Sequence, residues 1–77
     1  MPPRSQQAQH LARLVDHLVK GARRIERQRI LIRDLERDGW ETTEAQKTLK
    51  QLEELHAFYT QDKDRLIAEL NEEPEEN

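Results

Sequence analysis

Apolar residues recur along this chain on a seven-residue period that breaks once. Leu11, Leu18, Ile25 and Ile32 stand seven apart, and Leu14 and Leu35 mark the neighbouring rail with Gly21 and Gln28 between them. The ladder stops at Asp38-Gly39-Trp40. It resumes with Ala45, Leu49, Leu52, His56, Tyr59, Lys63, Leu66 and Leu70, in steps of three and four. A period near 3.5 predicts helix on both sides of the break, and a short break predicts that the two helices fold back antiparallel. The expected fold is all-α: an antiparallel, coiled-coil-like two-helix hairpin.

The residues between the rails set the boundaries. Residues 1–4 read as a disordered start, 5–38 as the first helix with Ser5 as its N-cap, and 39–42 as the turn. Residues 43–71 read as the second helix and 72–77 as a disordered acidic tail. With Gly39 at C′, Trp40 falls at C″ and Leu35 at C3, the pair whose apolar contact accompanies a Schellman ending. Thr42 or Thr43 is the expected cap of the second helix, and Thr43 with Gln46 has the spacing of a capping box. Lys50–Glu54 and Arg65–Glu69 have the i,i+4 spacing of helical ion pairs.

Folding about residues 40–41 gives a residue-by-residue expectation for the seam. Leu11, Leu14, Leu18, Gly21, Ile25, Ile32 and Leu35 should face Leu49, Leu52, His56, Tyr59, Leu66 and Leu70. In that register Gly21, a weak helix former, lies opposite Tyr59 and makes room for its ring. His56 reads as a seam residue hydrogen-bonded near Gln28.

The apolar surface is wider than one seam uses. Val15, Val19, Ala22, Ile30 and Leu31 widen it on the first helix, and Leu55, Phe58 and Ile67 on the second. Two hairpins packed into a four-helix bundle would cover such surplus. Val19, Ile30, Leu31, Leu55, Phe58 and Ile67 are therefore the expected self-association or partner surface.

Composition sharpens this reading. The chain has 77 residues, 34% hydrophobic and 38% charged, and no cysteine. Below about 70–80 residues a single core rarely supplies more than roughly 3–5 kcal/mol. With disulfides and thiolate metal sites excluded, self-association is the expected source of further stability. The net charge of −3 conceals a split. Residues 1–40 hold nine Arg/Lys against five Asp/Glu, and residues 41–77 hold four against eleven. The two helices therefore attract each other and leave one basic and one acidic surface. Residues 1–9 lack the apolar stretch of a secretory signal, and no apolar run is long enough for a membrane span. A cytoplasmic protein without membrane contact is expected.

Candidate chemistry is sparse. His17-Leu18-Val19-Lys20-Gly21-Ala22 resembles the segment around the phosphorylated histidine of histidine-phosphotransfer domains, with Val19 where leucine is usual. The resemblance implies His17 as phosphoacceptor, Lys20 offsetting phosphate charge, and Gly21 leaving room for the donor. Those domains are four-helix bundles, which this chain would form only as a dimer. Arg23, Arg24, Arg27 and Arg29, with Arg13, Lys20, Arg33 and Arg37, suggest a nucleic-acid-associated helix. Against that, Glu26, Asp34, Glu36 and Asp38 interrupt the run, and no aromatics stand among them to stack on bases. His10, His17 and His56 lack metal-ligand spacing. No catalytic, cofactor-binding or metal-ligating residue is assigned, and the expected protein is not an enzyme.

The stretch Ile25-Glu26-Arg27-Gln28-Arg29-Ile30-Leu31-Ile32-Arg33-Asp34-Leu35-Glu36-Arg37-Asp38-Gly39 followed by Thr42-Thr43-Glu44-Ala45 resembles a group of short, uncharacterised bacterial proteins. His56 and Asp62-Lys63-Asp64-Arg65-Leu66 are similar too, so the likeness spans most of residues 17–70. It implies the helical hairpin and a bacterial origin, and brings no activity. The function expected from the sequence is a non-enzymatic module for self-association, as a homodimer, and for binding a protein partner. Histidine phosphotransfer through His17 and nucleic-acid association through the Arg-rich helix are the alternatives.

Overall fold

The computed structural model describes residues 3–72. Two helices, α1 (Pro3–Arg37) and α2 (Thr43–Asn71), pack against each other with no strand among the described residues. No described helix is long and apolar enough to cross a membrane.

Helix α1 begins at Pro3, so Ser5 lies inside the first turn and is not the N-cap. Proline suits that first turn, where its missing N–H would have no helical partner anyway. Residues 3 and 4, expected to be disordered, are therefore helical; residues 1–2 lie outside the described range, as do residues 73–77 of the expected tail.

The backbone of the turn is a Schellman motif. Gly39 N–H donates to Glu36 C=O at 3.1 Å and Trp40 N–H donates to Leu35 C=O at 2.8 Å. Gly39 has φ +79°, a left-handed conformation that a Cβ would penalise. Trp40 at C″ stays 67% exposed, and Leu35 at C3 is half-buried. Satisfaction of the helix-end carbonyls, not burial of the indole, ends α1.

At the start of α2, Thr42 occupies the N-cap position without a side-chain capping bond. The expected Thr43–Gln46 capping box is absent. Thr43 is already helical, and its hydroxyl bonds the Glu41 carboxylate instead. Glu44 supplies the acidic group of the first turn and pairs with Lys47 at 3.6 Å. Among the expected surface pairs, Arg65–Glu69 closes at 3.9 Å, whereas Lys50–Glu54 does not form within the described residues. Arg65 also bonds Asp62, one turn earlier.

Leu14, Ile25, Ile32 and Leu66 are buried, and Leu14 at 3% exposure is the most enclosed. The other seam positions, Leu11, Leu18, Gly21, Leu35, Leu49, Leu52, His56, Tyr59 and Leu70, are half-buried. This is what a two-helix seam can do: each residue is covered from one side and flanked by solvent on the other. Gln28 fills a gap in the aliphatic rail and donates from Nε2 to the Ala45 carbonyl at 2.9 Å. That bond satisfies a half-buried amide and fastens α1 to the first turn of α2.

Candidate functional site

The register of the seam fixes two outer faces. Residues seven apart in a helix share a column. His17, Arg24 and Leu31 share one column of α1. His17 and Arg24 line a groove together with Leu55 of α2, and this defines the front face. On the opposite side, Arg29 Nη2 meets the Glu53 carboxylate at 2.9 Å across the helices, which defines the back face. Val15 and Ala22 share the column of Arg29, and Thr60 and Ile67 share that of Glu53.

The six residues expected to form one partner surface therefore do not share a face. Leu31, Leu55 and Phe58 belong to the front. Val19 and Ile67 belong to the back, beside Val15. Ile30 points away from the seam on the outer edge of α1. Five of the six are exposed, Phe58 most at 60%, while Ile67 is half-buried.

The groove on the front face has a volume of about 320 Å³ and is lined by His17, Lys20, Gly21, Arg24, Leu52, Leu55, His56 and Tyr59. Its origin is local. At this height the aliphatic ladder is interrupted by Gly21 on one rail and by His56 and Tyr59 on the other. Tyr59 stacks on His17, with ring centroids 5.1 Å apart and planes 9° from parallel. Phe58 lies tilted against Tyr59, centroids 6.1 Å apart.

Gly21 makes room for a ring, but the ring is that of His56. A Cβ at position 21 would stand 3.0 Å from His56 Nδ1. The expected partner, Tyr59, is instead engaged with His17. His56 and Tyr59 stand about one turn apart on α2, so both rings lie within reach of this height, and the packing assigns His56 to the glycine. The expected hydrogen bond of His56 near Gln28 also fails: Gln28 is taken by Ala45, and His56 Nδ1 is buried without a partner. Its burial against glycine leaves no acceptor or donor within reach.

Lys20 and Arg24 were not singled out as groove residues from the sequence. The signal was present in their spacing, since Arg24 lies seven after His17 and Lys20 one turn after it. Lys20 pairs with Asp16 at 3.0 Å, and no described carboxylate lies within ion-pair distance of Arg24. Of the motif that resembles phosphotransfer domains, His17 and Lys20 stay exposed on the groove, while Gly21 is taken up by the seam. No cluster of three or more metal-ligating side chains occurs among the described residues.

The back face is smoother. Ala8, Ala12, Val15, Val19 and Ala22 follow steps of four and three, a second heptad stripe confined to the first half of α1. Thr60 turns its hydroxyl inward to the His56 carbonyl at 2.9 Å, which removes a polar group from this face. Toward the turn, Arg29 and Glu53 replace the apolar stripe with charge. No protein-family model, no curated protein and no solved structure matches this chain.

Proposed function

We propose that this protein is a non-catalytic helical-hairpin module of the bacterial cytoplasm that self-associates, as a four-helix bundle of two copies, and binds a protein partner. One observation carries the reading. Among the described residues four apolar side chains are buried, while Val15, Val19, Ile30, Leu31, Leu55 and Phe58 are each at least 40% exposed. In a hairpin with so thin a core, leaving these side chains in water forgoes roughly 25 cal/mol for every Å² that an assembly would cover. Ordering the backbone costs about 1–2 kcal/mol per residue whether or not a second chain is present. Assembly adds burial without ordering more backbone, so it is the physical route to a stable fold.

Two opposed apolar faces fit the two halves of the proposal, one for the second copy and one for the partner. The arginines of α1 are better explained within it than as a nucleic-acid surface. Arg29 and Arg37 are engaged by Glu53, Asp34 and Asp38, and the remaining arginines lie in several columns rather than one stripe.

Sedimentation equilibrium at several loading concentrations, with thermal unfolding at each, tests the self-association. A dimer mass and a melting temperature that rises with concentration are the expected results. A monomer mass throughout, with a constant melting temperature, would leave a foreign partner as the sole cover for both faces.

A further inference from the structure

We infer that the two copies meet front face to front face, with the twofold axis running along the helices, and that Phe58 of each copy packs over the Lys20–Arg24 lip of the other's groove. The inference rests on the self-association proposed above and specifies its geometry.

The knob and the hole stand at the same height. Phe58 lies between His56 and Tyr59 in sequence, and both of these line the groove. Phe58 projects from the same face with 60% of its surface exposed. A twofold interface requires a self-complementary patch, because each copy must supply what the other receives. An exposed phenyl beside a groove meets that requirement. The groove also suits the ring: Leu52 and Leu55 offer apolar walls, and Lys20 and Arg24 offer aliphatic stems with cationic heads. Cations over an aromatic face attract it, and more strongly once water is excluded.

Charge selects the direction of the axis. Between residues 10 and 27 the front columns of α1 carry Arg13, Lys20, Arg24 and Arg27 together with His10 and His17; Asp16, on the outer column, pairs with Lys20, and nearer the turn the front columns carry Asp34 and Asp38. At the same height the front columns of α2 carry Asp62 and Glu69 with one cation, Arg65, which pairs with both, while Glu44 lies by the turn, outside this stretch. A twofold axis perpendicular to the helices would lay α1 on the α1 of the second copy and set these cations against themselves. An axis along the helices lays α1 over the partner's α2, antiparallel and at unchanged height. Basic then faces acidic, and the phenyl of one copy comes to rest over the Lys20–Arg24 lip of the other.

Two measurements on the full chain test this. Because the chain has no cysteine, a nitroxide can be placed at the exposed turn through Glu41→Cys and the spin–spin distance read by pulsed electron resonance. Turns side by side give a distance below roughly 30 Å, whereas copies reversed about the groove would hold them roughly 55 Å apart at 1.5 Å per residue. In the second measurement, Phe58→Glu should weaken dimerisation by at least about 100-fold, as removal of a buried aromatic anchor does. The long distance, or a dimer untouched by Phe58→Glu, would overturn this arrangement and leave self-association standing. A monomer mass with no dipolar signal would overturn both.

Discussion

The seam around Ile25 and Ile32 and the seam around Gly21 and His56 are neighbouring stretches of one heptad ladder, yet they solve different problems. The first uses β-branched aliphatic side chains, both buried, and is closed on its flanks by the Gln28–Ala45 hydrogen bond and the Arg29–Glu53 ion pair. The second places a glycine against an imidazole, stacks Tyr59 on His17, leaves one buried nitrogen unpartnered and opens a groove of about 320 Å³. Regular packing holds the helices together. Departure from it creates shape, because a glycine and flat rings cannot fill space as branched aliphatics do. The part of the ladder that looks weakest as a core is the part that offers a binding feature.

The sharpest way to break the comparison is to damage the regular stretch. Ile25→Ala should destabilise the fold by about 2–5 kcal/mol, the range for truncating a buried isoleucine. Leu55→Ala, at the groove lip, should cost less than half as much in chemical denaturation when both substitutions are compared in the Phe58→Glu background, where the second copy no longer covers the groove. Equal losses would mean that the groove lip is as much core as the aliphatic seam.

A smaller effect is expected at the glycine. Gly21→Leu should cost about 1–3 kcal/mol through overpacking against His56. Gly21→Ala is a contest, since helix propensity favours alanine by roughly 1 kcal/mol while the new methyl crowds His56 Nδ1. Adding His56→Ala should remove the crowding, so that alanine at position 21 becomes clearly stabilising in the double variant. If the two substitutions are simply additive, the imidazole is not what the glycine accommodates.

The smallest expected effect is at the flank. A double-mutant cycle on Arg29 and Glu53 should return about 0.2–1 kcal/mol, because both side chains are roughly half exposed and water screens the pair. That coupling should fall further at high salt. A value above 2 kcal/mol would show that the back face is covered in solution, where screening is lost.

Much of this fold is legible in the residues themselves. A seven-residue repeat dictates helix, Asp38-Gly39 dictates where it stops, and the apolar rails identify all thirteen seam positions, each buried or half-buried in the structure. Such features are local or periodic, and local rules suffice for them. What the tertiary structure alone decided is which side chains meet. The packing gives Gly21 to His56 and Tyr59 to His17. It sends Gln28 to a backbone carbonyl and leaves His56 Nδ1 without a partner. Periodicity fixes the direction in which a residue points around its own helix. It does not fix which side chain of the facing helix fills a given gap, because residues one turn apart on that helix stand within reach of the same position. Side-chain volumes, summed over the whole seam, make that choice.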